Sequence, residues 1–95
     1  MIILSVKFKS ALSDSDVQRI MKERAPSFRA MPGLIQKYYG LEKETGEYTG
    51  IYIWDSEQSL REFRETELAR TIPEAYQAVG KPRVEIFEVP LVLRS

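Results

Sequence analysis

The 95-residue chain contains no histidine and no cysteine. Without cysteine there can be no disulfides, thiolate metal sites, iron–sulfur clusters or cysteine nucleophiles. Without histidine the usual general base near neutral pH and the commonest metal ligand are both missing. A proton acceptor tuned near neutrality must then be lysine, tyrosine or a carboxylate. Neither histidine nor cysteine is available as a haem axial ligand, which argues against haem chemistry. Charge bias is lacking too, since 14 basic residues balance 14 acidic ones. No bulk attraction to nucleic acid or an anionic membrane is expected. No apolar run approaches the roughly 20 residues of a membrane span. Met1 to Leu4 is too short for a signal-peptide core. These absences point to a soluble cytoplasmic protein that lacks the commonest metal ligands and has neither nucleic acid nor membrane as a partner.

What is present is ordinary for a globular protein: 43% hydrophobic and 29% charged residues. The length suits a single domain, 1–95, with a thin core. Ile2 to Lys9 alternates apolar and polar residues, the period of a strand. Ser13 offers an N-cap, with Asp16 as its capping-box partner. Val17, Ile20, Met21 and Phe28 then recur at helical spacing. Pro26 should kink this helix or end its regular part, and Met31-Pro32-Gly33 closes it. Leu34 to Leu41 and Tyr48 to Trp54 read as two strands joined by a hairpin loop.

Asp55 is placed to cap the next helix, with Gln58 reaching back and Leu60 and Phe63 on the buried side. Ile72, Ala75, Tyr76 and Val79 predict a further short helix that starts near Pro73 and is stopped by Gly80 and Pro82. Arg83 to Val89 is the fourth strand, and it should lie at an edge or carry a bulge there, because Pro90 cannot donate to a ladder. The order βαββαβ defines a ferredoxin-like α+β fold: a four-stranded antiparallel sheet with its helices on one face. Every strand also carries apolar residues on its other face, and Leu91-Val92-Leu93 forms a sticky tail. Both features predict a two-fold homodimer packed through the open sheet face and the C-terminal tail.

Two stretches carry a family resemblance. They are Pro32-Gly33-Leu34-Ile35-Gln36-Lys37-Tyr38-Tyr39 and Gly50-Ile51-Tyr52-Ile53-Trp54, the second followed by Asp55-Ser56-Glu57. With the length and element order, they resemble the dimeric α/β-barrel superfamily that includes antibiotic-biosynthesis monooxygenases, and within it the YdhR-type putative monooxygenases. The resemblance implies a homodimer whose two sheets form a barrel. It implies a small-molecule pocket between helices and sheet in each protomer. It also implies oxidation or rearrangement of aromatic or polyketide-like molecules without metal or flavin.

The residues suggest where such chemistry would sit. Lys37 lies mid-strand between apolar neighbours, on the face with Ile35 and Tyr39. Desolvated, it could stabilise a phenolate or enolate, or act as a base. The plainer reading is a lysine that snorkels to the sheet edge or pairs with Glu42 or Glu85. Tyr39, Tyr52 and Trp54 could line a pocket for a flat substrate, or simply fill the core, as aromatics in strands do. Gly50 leaves a gap beside them, or marks a bulge. The expected catalytic group is Lys37, Tyr39 and Tyr52. Trp54, Gly50, Ile35, Phe28 and Tyr76 are expected to bind substrate. Arg24, Arg61 and Arg64 lie on the covering helices. Arg61 or Arg64 could bind a carboxylate or oxyanion, but the plainer reading is an exposed helix arginine paired with Glu57, Glu65 or Glu67. Tyr38, Gln36, Ile51 and Ile53 are assigned to the dimer face, although phase alone leaves the two faces exchangeable. A non-catalytic ligand-binding dimer and an isomerase or cyclase on the same scaffold remain open readings.

Overall fold

The computed structural model describes residues 1–94. The elements follow as β1 (Ile2–Ser10), α1 (Asp14–Arg29), β2 (Leu34–Leu41), β3 (Tyr48–Trp54), α2 (Glu57–Arg64), α3 (Glu67–Arg70), α4 (Ile72–Ala75) and β4 (Ala78–Glu88). The four strands form one antiparallel sheet in the order β2-β3-β1-β4. The helices cover one face of it, as the βαββαβ pattern requires. No helix among the described residues is long and apolar enough to cross a membrane.

The alternation in β1 decides which face is covered. Ile2, Leu4 and Phe8 point into the core with their β3 partners Trp54, Tyr52 and Tyr48. Val17 and Phe28 of α1, Leu60 and Phe63 of α2, and Ile72 of α4 close over them. Ser13 caps α1 by accepting from the Asp16 N–H at 3.2 Å, as its spacing implies. The Tyr48 hydroxyl donates to the Asp14 carboxylate at 2.6 Å, which ties the start of α1 to β3.

Several local expectations are corrected. Helix α1 continues past Pro26 to Arg29, so Pro26 does not end it. The bond Pro26 removes is on the exposed side, where water can satisfy the Lys22 carbonyl. The cap of α2 is Ser56 rather than Asp55: Ser56 Oγ accepts from the Ser59 N–H at 3.1 Å. Asp55 accepts instead from the Ser59 hydroxyl at 2.6 Å, and Gln58 turns outward to Glu62. The last helix ends at Ala75, so Val79 belongs to β4 and is exposed. The chain is captured early because β1 overhangs it. Ser10 Oγ donates to the Tyr76 carbonyl, the Ala11 N–H donates to the Gln77 carbonyl, and Ala78 pairs with Ser10. Gly80 and Pro82 therefore lie within the span of β4, at an irregularity, and do not stop a helix.

Strand β2 also departs from simple alternation. Leu34 pairs with Trp54 and Gln36 with Ile53, so Ile35 is an extra residue in a bulge. Beyond it, Lys37 pairs with Tyr52 and Tyr39 with Gly50, which places both on the helix side. Gln36, Tyr38, Ile51 and Ile53 take the open face, as assigned from the sequence. Gly50 is no bulge, since its register is regular against both β1 and β2.

Candidate functional site

Three hollows lie in a row between the sheet and the helices. At the β2 edge a cleft of about 310 Å³ is lined by Phe28, Ile35, Lys37 and Tyr39, among others. Deeper in, a cavity of about 20 Å³ is bounded by Lys37, Tyr39, Gly50, Tyr52 and Tyr76. Such a space holds about one water molecule. Lys37 and Tyr39 line both and so form the wall between them. Val6 and Ile72 form the opposite wall, toward a third cleft at the β4 edge.

Lys37 is the centre of the arrangement. Its Nζ lies 3.4 Å from the centroid of the Phe28 ring, 4.2 Å from that of Tyr39 and 4.4 Å from that of Tyr52. The carboxylates that could have neutralised it are engaged elsewhere: Glu42 pairs with Lys7, and Glu85 with Arg83. No carboxylate among the described residues is in ion-pair range of Lys37. Burial, and then the positive charge of Arg24, lowers its pKa to about 7. The ring faces act in the opposite sense, because their quadrupoles attract an ammonium. The amine is therefore poised to take up a proton that the surrounding rings will hold.

The tyrosines supply donors. Burial, the main cause in each case, pushes the Tyr52 and Tyr39 hydroxyls up, and Tyr76 up to about 12. All three stay protonated near neutral pH. Gly50 creates the space they share. A methyl group there would come within 3.0 Å of the Tyr52 ring and 3.4 Å of Lys37 Cε.

Seven of the eight residues expected at the site line one or both hollows. Trp54 does not. It is fully buried, stacked on Tyr52 at 6.2 Å and packed on Phe63 at 5.0 Å, so it braces the wall from behind. Ile35 reaches the outer cleft from its bulge rather than by sharing the Lys37 face. Arg24 is the residue sequence reading undervalued. Its guanidinium donates to the Leu68 carbonyl at 2.8 Å and to Thr71 Oγ1 at 3.2 Å, and its Nε is buried without a partner. The signal was present, because Arg24 lies four residues from both Ile20 and Phe28, on the apolar stripe of α1.

A four-stranded antiparallel sheet in the order β2-β3-β1-β4, covered on one face by helices, defines the class: an α+β domain of the ferredoxin-like fold. Solved structures share the fold at low sequence identity. One is a putative antibiotic biosynthesis monooxygenase from Deinococcus radiodurans: TM-score 0.78, 10% identity, covering 100% of this chain and 98% of that one. Another is SnoaB, a cofactor-independent oxygenase from Streptomyces nogalater: TM-score 0.78, 13% identity, covering 99% and 97%. A third is a dimeric ferredoxin-like protein of unknown function from Thermobifida fusca: TM-score 0.71, 13% identity, covering 94% and 92%. No curated protein matches the sequence. Residues 3–93 match the family described as putative mono-oxygenase ydhR, and the chain belongs to that family.

Proposed function

We propose that the protein is a cofactor-independent monooxygenase acting on a small aromatic or enolisable molecule. One observation carries this reading: Lys37, without a carboxylate partner among the described residues, sits among three rings at the wall between an open cleft and a water-sized cavity. The substrate's flat body occupies the outer cleft, with its acidic C–H or O–H against Lys37 Nζ. Neutral Lys37 removes that proton as general base. The ammonium it becomes, the Tyr39 and Tyr52 hydroxyls and the nearby Arg24 charge then stabilise the carbanion or phenolate. An electron-rich anion of this kind reacts directly with dioxygen. The substrate supplies all four electrons: a CH2 group becomes C=O, or a quinol is oxidised to the quinone while one ring C–H becomes C–OH. In each case one oxygen atom enters the product and the other leaves as water. The named activity of SnoaB, a neighbour in fold, is of the same cofactor-independent kind.

The assay is oxygen uptake with anthrone and quinol substrates. Wild type should consume oxygen well above the Lys37→Ala variant, and equal rates would remove Lys37 from the mechanism. Calorimetric binding without uptake would point to a non-catalytic binding dimer. Anaerobic conversion would point to an isomerase or cyclase.

We further infer that two copies associate through the open sheet face. Tyr38 is 57% exposed there and Phe87 48%, with Ile51, Ile53 and Ile3 between them. The tail adds Leu91 and Leu93, at 78% and 86%. A contiguous apolar surface of this kind suits a sheet-to-sheet partner.

A further inference from the structure

The third hollow, at the β4 edge, is chemically unlike the other two. It is a cleft of about 240 Å³ with an apolar floor that includes Val6, Phe63 and Val84. Arg64, Arg70 and Lys81 stand at its rim, and none of its lining residues is acidic. Among the described residues none of these three cations has a carboxylate in ion-pair range. Arg70 is partly held by the Glu65 carbonyl, but Arg64 and Lys81 are exposed.

A backbone irregularity helps to build this rim. Between Lys7 and Lys9 the β1 strand advances two residues, while β4 runs four, from Arg83 to Val79. Gly80 turns the chain with φ +74°, and the two surplus residues bring Lys81 and Pro82 to the mouth of the cleft. A regular edge strand would have continued straight. The cleft touches the inner cavity only through Val6 and Ile72 and contains neither Lys37 nor the tyrosines.

We propose that this cleft is a second binding site, separate from the Lys37 chemistry, for a small amphipathic monoanion with an apolar chain or ring and one carboxylate. The apolar floor favours burial of the body. The rim cations attract the headgroup where it still faces water. A volume just below the usual range for small-molecule sites limits the ligand to a medium-chain or aryl-alkanoic acid. The occupant follows from charge complementarity, since an acidic head meets only cations and an apolar tail meets only hydrocarbon.

The test is a titration with octanoate, followed through the methyl NMR signals of Val84, Ile72 and Ile35. Octanoate should shift Val84 and Ile72 saturably and leave Ile35 at the far cleft unmoved. 1-Octanol should bind at least tenfold more weakly. Arg64→Gln with Lys81→Gln should weaken octanoate at least tenfold without lowering Tm, because both side chains are exposed. Val84→Glu, at a half-exposed position, should abolish binding. Several results would overturn the proposal. These are equal affinity for octanol, no loss in the double variant, shifts centred on Ile35, or no saturable shift up to the solubility limit. Val84 shifts that follow protein concentration without octanoate would assign the cleft to a second copy and overturn it as well. None of these readings depends on oxygen uptake, so the site stands or falls apart from the oxygenase proposal.

Discussion

At the scale of single residues, Lys37 ties stability to the proposed activity. Its pKa falls from an ordinary lysine value to about 7 in the folded protein. Below about pH 7 both folded and unfolded chains carry the proton, and the full cost of burying the ammonium is present. Between about 7 and the unfolded value near 10.4 only the unfolded chain is protonated, so stability rises with pH. Chemical denaturation of wild type should show this rise, on the order of 2 kcal/mol after allowance for solvent at the cleft. Lys37→Met should flatten it. Activity carries the same signature: kcat/KM should climb through about pH 7 as the base becomes neutral, and Lys37→Arg should abolish the climb. Glycines offer a second test. Gly33 and Gly46 both have positive φ, at +81° and +76°. Open space surrounds Gly46, whereas a methyl group on Gly33 would collide with the Ser59 side chain. Gly33→Ala should therefore destabilise by at least about 1 kcal/mol more than Gly46→Ala in urea denaturation.

At the scale of elements, most boundaries were legible because each has a local cause. Ser13 caps α1, and Gly33 and Gly46 turn the chain around β2. The misplacements occurred where two local signals competed. Asp55 and Ser56 are both good caps. Ser56 takes the role because its hydroxyl accepts from the Ser59 N–H, while Asp55 is drawn to the Ser59 side chain. Ser56→Ala should cost about 1 kcal/mol of thermal stability. The α4–β4 boundary failed for another reason. Ile72, Ala75, Tyr76 and Val79 do have helical spacing, but β1 extends to Ser10 and recruits Ala78 into the sheet. Long-range pairing overrode a short helical propensity. The bulge at Ile35 was hidden in the same way, since an extra residue shows only when the partner strand is in place.

At the scale of the whole molecule, the open face makes the strongest claim. Ile51→Glu sets a charge in the middle of the apolar patch without touching the core. On the proposed sheet-to-sheet pairing, light scattering should show a dimer mass for wild type and half of it for this variant, with an unchanged far-ultraviolet spectrum. By itself the sequence determined the architecture and the apolar character of both sheet faces, because period, caps and turn residues act over a few neighbours. It also singled out Lys37, since a lysine amid apolar strand residues is anomalous before any folding. What only the tertiary structure decided was the company Lys37 keeps. Phe28 comes from α1, Tyr39 from β2, Tyr52 from β3 and the Arg24 charge from the helix above. Glu42 and Glu85 are taken by Lys7 and Arg83. The withdrawal of Trp54 from the cavity wall was likewise settled in three dimensions. Desolvation and charge depend on distance through space, and residues far apart in the chain set those distances.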